Sequence, residues 1–378
     1  MDICFPLPYP IFVQGMKYRT SQQKGYIMTF HKDAYLDYKD QILKNAQDLL
    51  AIPSPSGYGK AVTDHLMAQL AELGIEAVKT LKGGVLAHVP GINSGNGILL
   101  QAHVDTLGGM VHAIKETGGI QITPIGGLNP SNTETENVTI LTRSGKTYEG
   151  TFQLENASVH VNKDFTTTQR TWETMEVVID EDVKEDEDVK KLGIQAGDYV
   201  FFEPRTRITK SGYIKSRFLD DKLSAAILLA YLKYLTDQKI TLLRDLYIHF
   251  TIYEEVGHGG SHPFPDGVTE VWSVDMGCVG EGLNCREKQV SIAAKDSGGP
   301  YNYDLVSRLV ELSEKYEIDS AVDIYPFYGS DVEATLAAGH DFRHALIGPG
   351  VYASHGYERS HIDGACNTFR LIQAYLED

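Results

Sequence analysis

The stretch Gly97-Ile-Leu-Leu-Gln-Ala-His103-Val104-Asp105 determines how we interpret the rest of the chain. It opens on a glycine, continues as a largely apolar run and ends in a histidine and an aspartate. Such runs are typical of central strands that are buried on both faces. We therefore predict a buried strand that ends at His103 and Asp105. These residues would then lie at the edge of an open α/β sheet where the strands end, which is where such sheets bind ligands.

Helical and strand-like patterns continue on both sides of this strand. Apolar residues at helical spacing predict helices over 34–51 and 222–235, and strand-like runs over 246–252 and 271–274 end at Glu254 and Asp275. We expect an α/β fold with a mixed central sheet flanked by helices.

The residue pattern changes between residues 108 and 214, where glycines, threonines and alternating apolar residues dominate. This pattern predicts a small β-rich domain inserted into the α/β chain. We therefore divide the chain into an N-terminal extension (1–30), a catalytic domain (31–107 and 215–378) and the insertion (108–214).

Composition excludes several classes of partner. The formal net charge of −17 would repel nucleic acid and anionic membranes, and part of it lies in residues 176–188, which we interpret as a solvated loop. No run reaches the ~18 apolar residues of a membrane span. The four cysteines include no Cys-x-x-Cys pair, so we expect a reducing, cytoplasmic location.

Four further acid- or histidine-bearing motifs follow the first one, namely Asp220-Asp221, Glu254-Glu255, Asp275 and His355. Each has an ordinary explanation when taken alone: a helix-capping pair, a solvated loop pair, a turn aspartate and a residue at a helix start. Their joint occurrence near successive strand ends indicates one assembled site.

Imidazoles and carboxylates in this combination suit Zn, Co or Mn. Several carboxylates and two histidines are enough ligands for two divalent ions, and two adjacent glutamates in an extended backbone point apart. One of Glu254 and Glu255 can then bind metal while the other faces a water as general base. Asp105, two residues beyond His103, suits the task of holding the second ring nitrogen of a histidine ligand.

The order of the motifs resembles that of the tetrahedral (TET) dinuclear metallo-aminopeptidases, the forty-second metallopeptidase family, which includes glutamyl and deblocking aminopeptidases. That family has a His-x-Asp motif, an inserted β-domain, Leu-Asp-Asp-(Lys/Arg), Glu-Glu-Val-Gly, an aspartate after the next strand and a late histidine. Here the motifs stand as His103-Val104-Asp105, Leu219-Asp220-Asp221-Lys222, Glu254-Glu255-Val256-Gly257, Asp275 and His355.

The resemblance implies a zinc-exopeptidase-like catalytic domain that binds two divalent metal ions per subunit. Five residues of this chain match the family's ligands: His103 and Asp275 for one ion, Glu255 and His355 for the other, and Asp220 bridging the two.

The resemblance also implies catalytic roles for Glu254, as general base, and for Asp105, which would orient His103. It implies a cis peptide bond after Asp220. The C-terminal motif departs from the family's usual His-Ser/Thr-Pro-x-Glu, since it reads His355-Gly-Tyr-Glu-Arg-Ser-His361. We favour His355 as the last ligand and keep His361 as the alternative.

The implied activity is that of an aminopeptidase acting on short peptides, assembled as a homo-oligomer, and in this family as a dodecamer whose β-barrel-like domains contact one another. A deacylase or carboxypeptidase would use the same ligands, and a weaker resemblance points to a subgroup linked with a blocked dipeptide osmoprotectant, N-acetylglutaminylglutamine amide. A metal-free glycosidase with paired carboxylates and a non-catalytic metal-binding scaffold are the remaining alternatives.

Overall fold

The predicted central strand is present and runs from Asn93 to His103 in the computed structural model, which describes residues 31–378. From Gly97 onwards every residue of the strand is buried. Successive side chains enter two separate hydrophobic clusters, with Ile98 in one and Leu99 in the other. Because both faces are covered, the run is apolar without alternation. The predicted extension, residues 1–30, lies outside the described residues.

Residues 31–378 contain seven α-helices, and the two predicted from helical spacing over 34–51 and 222–235 are among them. Their bounds are α1 Tyr35–Leu50, α2 Lys60–Glu72, α3 Asp186–Leu192, α4 Leu219–Asp237, α5 Tyr303–Lys315, α6 Asp331–Ala337 and α7 Ile362–Glu377.

The described chain contains eighteen strands. In chain order they are β1 Glu76–Lys79, β2 Val85–Val89, β3 Asn93–His103, β4 Gly108–Ile114, β5 Ile120–Ile125, β6 Asn137–Leu141, β7 Thr147–Leu154, β8 Met175–Ile179, β9 Tyr199–Phe202, β10 Arg207–Ile208, β11 Tyr213–Ser216, β12 Arg244–Thr251, β13 Val268–Val274, β14 Gly277–Val279, β15 Val290–Lys295, β16 Ser320–Ile324, β17 Arg343–Tyr352 and β18 Glu358–His361.

A mixed sheet of twelve strands forms the centre of the larger unit. Its middle strands β12, β3, β13 and β17 are neighbours and run parallel. The flanking pairs β2–β12 and β17–β18 are antiparallel. The predicted mixed sheet is confirmed, and its four parallel strands end at the same edge.

Helices cover both faces of this sheet. On one face α1, α4 and α7 pack together through an aromatic cluster in which the Tyr38–Tyr234 and Tyr231–Phe369 ring centroids are 5.5 Å apart. On the other face α6 places Val332 in the cluster that contains Leu99. This arrangement confirms the α/β class predicted from the sequence.

The predicted β-rich insertion is a small closed barrel with the strand order β4-β5-β8-β7-β6-β9. Its apolar side chains that are at most 2% exposed include Val111, Ile122, Ile140, Phe152, Val177 and Val200. Strands β10 and β11 follow the barrel and pair with the large sheet. The limits of the three proposed domains remain a prediction.

Only residues 180–185 of the acidic segment 176–188 form the solvated loop that we expected. Residues 176–179 lie in the barrel strand β8, and residues 186–188 form the first turn of α3, where acidic side chains complement the helix dipole. Elsewhere in the segment the expectation failed because a short strand with alternating Glu176 and Val177 is hidden in a strongly charged stretch.

Two composition-based expectations can be compared with residues 31–378. Within them no helix is long and apolar enough to cross a membrane. The described cysteines Cys278, Cys285 and Cys366 form no disulfide.

Candidate metal centre

The four parallel strands bring most of the predicted residues to one edge of the sheet. The strand ends deliver His103 from β3, Glu254 and Glu255 from the turn after β12, Asp275 from the position after β13 and His355 from the turn after β17.

Asp220 lies between the two histidines. Its Oδ1 is 3.1 Å from His103 Nε2 and its Oδ2 is 3.6 Å from His355 Nε2. Asp220 comes before the regular part of α4, which begins at Lys222, and the predicted cis peptide bond to Asp221 is present. One buried carboxylate therefore faces both imidazoles.

The other ring nitrogen of His103 is held by Asp105, though by its main chain. Nδ1 donates a hydrogen bond of 2.9 Å to the Asp105 carbonyl oxygen, while the nearest carboxylate oxygen is 3.7 Å away. The Asp105 carboxylate instead accepts hydrogen bonds from the Ser56 hydroxyl and from the Glu254 main-chain N–H (3.1 Å). Since Nδ1 carries the proton, a neutral His103 directs the Nε2 lone pair at Asp220.

Glu254 and Glu255 diverge, but not from the extended backbone that we predicted. They form a single 3₁₀ turn with Val256. Glu254 Oε2 is 3.6 Å from His103 Nε2, whereas Glu255 Oε2 is 3.5 Å from His355 Nε2. The turn thus places one carboxylate beside each histidine.

Asp275 approaches His103 from the neighbouring strand. The ligand atoms of His103, Asp221 and Asp275 lie within 4.8 Å of one another, and so do those of His103, Asp220 and Glu255. Asp221 was not predicted as a ligand. Its Oδ2 accepts the His103 main-chain N–H at 3.2 Å, and its buried Oδ1 has no hydrogen-bond partner.

Negative charge at this edge is not balanced by cationic side chains. Among residues 31–378 the ion-pair partners of Asp220, Glu254 and Glu255 are imidazoles, not Lys or Arg. Burial raises the pKa of both glutamates well above the ordinary value, and burial with the charge of Asp220 raises the pKa of Asp275 to about 7. Burial opposes protonation of His103, yet the surrounding carboxylates, Glu254 first, raise its pKa well above 6.5.

This donor set fits divalent cations. Two imidazoles and several carboxylates without a cationic partner supply the ligand types that Zn, Co and Mn accept. Ligand atoms on a tetrahedral ion with bonds of 2.0–2.2 Å lie about 3.3–3.6 Å apart. The nitrogen–oxygen distances around His103 and His355 are 3.1 to 3.6 Å.

His361, the alternative to His355, is engaged elsewhere. Its Nε2 is 2.7 Å from the Ser211 carbonyl oxygen, and its Nδ1 accepts the main-chain N–H of Asp363 at the start of α7. Both ring nitrogens are therefore occupied in hydrogen bonds to main-chain groups, whereas His355 faces Asp220 and Glu255.

Glu358 is the site residue whose role the sequence did not reveal. It is 2% exposed, and its two carboxylate oxygens accept the main-chain N–H groups of His355 and Asp220, each at 3.1 Å. This one side chain fixes the backbone of two residues far apart in the chain. The family's C-terminal motif also ends in a glutamate, and this could have indicated that Glu358 belongs to the site.

The barrel contributes to the site through its Gly126-Gly127 segment. A Cβ on Gly127 would lie 2.6 Å from His355 Nδ1, and a Cβ on Gly126 would lie 3.0 Å from the Glu255 carbonyl oxygen. Asn132 donates a side-chain hydrogen bond of 3.1 Å to the His355 carbonyl. Only residues without a side chain allow this close approach, so the insertion helps to position His355.

Four of the nine non-glycine residues with positive φ in the described chain lie at the site. Their φ values lie between 59° and 71°. One of them is the predicted ligand His355, and the others, Phe218, Tyr253 and Ala353, lie one or two residues before a predicted ligand or base. Non-glycine residues in this region are costly and cluster at functional sites.

A cavity of about 590 Å³ opens onto the site. Its polar end is formed by Asp220, Glu254, Glu255, Asp275 and His355. The rest of its wall comes mainly from the segment 327–334 and from Met276 and Cys278. The candidate metal centre is therefore open to a small ligand.

Comparisons with known proteins agree with this fold. The family model described as M42 glutamyl aminopeptidase matches residues 83–371. YhfE of Bacillus subtilis strain 168, provisionally named an aminopeptidase, is 43% identical over 88% of this chain and 96% of its own length. The lysyl aminopeptidase of Pyrococcus furiosus is 23% identical over 87% of this chain and 95% of its own length.

Among solved structures, the TET1 peptidase of Pyrococcus horikoshii, which can assemble into a tetrahedron or a large octahedral shell, superposes with a TM-score of 0.77. It is 19% identical, and the match covers 89% of this chain and 99% of that one. The matched range includes every strand of the large sheet except β1, the whole barrel and all of the candidate ligands. The chain belongs to the M42 glutamyl aminopeptidase family.

Proposed function

We propose that this protein is a metal-dependent aminopeptidase that removes N-terminal residues from short peptides with two divalent ions, Zn, Co or Mn, in each subunit. The observation that carries the proposal is the Asp220 carboxylate, whose two oxygens face His103 and His355 on opposite sides. A carboxylate in this position suits two cations, because its negative charge offsets their mutual repulsion.

The ligand assignment is the one that the family resemblance implies, and the contacts of His355 with Glu255 and of His103 with Asp275 support it. His103 and Asp275 would hold one ion, Glu255 and His355 the other, and Asp220 would be shared. The cations, when bound, would polarise the scissile carbonyl and lower the pKa of water at the site.

Glu254 is the proposed general base because its carboxylate reaches the cavity and is not needed as a ligand. It accepts a proton from the attacking water and returns that proton to the leaving amine. Its main-chain N–H donates to Asp105, whose carbonyl holds His103, so Asp105 positions the base and a ligand together. Glu358 positions Asp220 and His355 in the same way.

The test is hydrolysis of free and N-acetylated short peptides by the full chain, after chelation and again after adding Zn, Co or Mn. We expect cleavage of peptides with a free N-terminus only, lost on chelation and restored by metal. Cleavage of N-acetylated or amidated dipeptides alone would move the function to a deacylase or to the osmoprotectant substrate. Activity that survives exhaustive chelation would contradict the proposal and favour a metal-free hydrolase.

We also propose that the protein is a homo-oligomer, with a dodecamer as the expected assembly. The similarity to a peptidase that forms tetrahedral shells supports this. Light scattering should give a mass near that of twelve chains of 41.8 kDa, about 500 kDa. A mass of one chain, at concentrations where the enzyme is active, would refute it. The cytoplasmic location stays a prediction.

A further inference from the structure

The cavity at the metal centre has a second acidic feature, Glu333, on the wall away from the candidate ligands. Glu333 lies in α6 and lines the cavity together with Phe327, Tyr328 and Ala334. Among residues 31–378, none that lines this cavity is a lysine or an arginine. Glu333 is therefore the charged side chain that a ligand would meet beyond the metal centre.

Within residues 31–378 no cationic side chain forms an ion pair with Glu333, and its surroundings favour the neutral carboxyl group. Its carboxylate is flanked by two glycines, since a Cβ on Gly298 or Gly329 would lie 2.7 Å from its oxygens. Its Oε1 is buried and has no hydrogen-bond partner.

A second carboxylate, that of Asp296, lies close behind Glu333. It is 1% exposed and accepts hydrogen bonds from the Tyr301 hydroxyl and from the Gly298 main-chain N–H (2.9 Å). The nearby Lys295 ammonium donates to the main-chain oxygen of Asp296. Burial, followed by the hydrogen bond and charge of Asp296, raises the pKa of Glu333 to about 8. The described chain supplies no ion pair to either carboxylate.

From this arrangement we infer that Glu333 selects substrates with a basic N-terminal residue, lysine or arginine, and disfavours acidic ones. The inference rests on the proposed aminopeptidase function. With the scissile carbonyl at the metal centre, the rest of the same cavity, whose wall includes Glu333, is available to the side chain of the N-terminal residue. A lysine ammonium favours the ionised form of Glu333 and pairs with it, whereas a glutamate side chain adds a third carboxyl group beside Glu333 and Asp296.

The inference separates this chain from the activity in its family's description. A site selective for glutamyl peptides needs a cation beside the substrate carboxylate. The lining residues of this cavity provide one only through the metal centre itself. We therefore expect a side-chain preference opposite to that of a glutamyl aminopeptidase on the same fold and site.

The test compares kcat/KM for Lys-Ala-Ala, Leu-Ala-Ala and Glu-Ala-Ala, measured on the metal-reconstituted full chain. We expect lysine to be preferred over glutamate by about ten- to a hundredfold, the usual range for a charge-assisted hydrogen bond. Glu333→Gln keeps the shape of the side chain and should lower the Lys:Leu ratio by about tenfold. Glu333→Lys should raise the Glu:Leu ratio.

The matched control is Glu314→Gln, which removes one negative charge from an exposed position on α5 and should leave all three ratios unchanged. Preference for Glu-Ala-Ala in the wild type, or a Lys:Leu ratio that Glu333→Gln does not change, overturns the inference while the aminopeptidase function stands. Failure to cleave any of the three tripeptides with metal present overturns the proposed function, and this inference with it.

Discussion

Glu254→Gln should lower kcat by about 10²–10⁴ while the protein retains its metal ions. The amide has the shape of the carboxylate but cannot take a proton from water or return it to the leaving amine. Glu254 contacts His103 at 3.6 Å and is not among the assigned ligands, so metal content measured by mass spectrometry should stay at the wild-type value. Steady-state kinetics on a free tripeptide gives the change in kcat.

The control for this variant is Glu281→Gln, which removes one exposed glutamate outside the cavity and should change neither kcat nor metal content. A Glu254→Gln enzyme with near wild-type kcat would show that another group moves the proton. A variant that has lost metal would instead make Glu254 a ligand.

Asp275→Asn should have opposite effects on metal binding and on the stability of the metal-free protein. The amide is a weaker ligand, so metal affinity should fall by about a hundredfold or more, which is the upper range for residues that only orient ligands. Activity at limiting metal should fall in parallel. Metal titration followed by calorimetry measures the affinity.

The stability effect follows from the raised pKa of Asp275, about 7 against an ordinary value near 4. Between these values the folded metal-free protein holds a proton that the unfolded chain has released, so its stability falls as the pH rises from about 4 to about 7. Asp275→Asn removes this pH-dependent loss of stability, because asparagine does not titrate. The metal-free variant should therefore melt at a higher temperature than the metal-free wild type at pH 8, with a smaller difference near pH 4.

With metal ions bound, the wild type should instead melt at a higher temperature than Asp275→Asn. An ion present at a thousandfold excess over its Kd stabilises the folded state by about 4 kcal/mol, which the wild type gains and the variant largely loses. Asp323→Asn is the matched control, since Asp323 is equally buried but accepts the main-chain N–H groups of Asn284 and Cys285 away from the site. It should lose stability and keep metal binding. An Asp275→Asn protein with wild-type metal affinity would remove Asp275 from the ligand set.

Much of the fold could be predicted because the site lies at the ends of buried strands. The runs before His103, Glu254 and Asp275 are apolar enough to mark strands β3, β12 and β13, and parallel neighbours must end at one edge. Strand β17 was not predicted, although it carries the chain to His355. Its sequence contains Gly348-Pro349-Gly350, which normally signals a turn.

Local conformation and long-range contacts within the site were less accessible from sequence. The 3₁₀ turn of Glu254 and Glu255 follows a left-handed Tyr253, which no local propensity predicts. Glu358 acts through main-chain hydrogen bonds to residues distant in sequence, and Gly127 acts by having no side chain. Such roles depend on tertiary contacts that neither periodicity nor motif spacing encodes.

The central claim is that Asp220 joins two metal ions in one site. The most direct measurement is anomalous diffraction from crystals grown with Zn or Mn, recorded on both sides of the metal's absorption edge. The account predicts two anomalous peaks in each chain, one beside His103 and Asp275 and the other beside Glu255 and His355, with Asp220 in contact with both. A single peak, or two peaks of which Asp220 contacts only one, would contradict it.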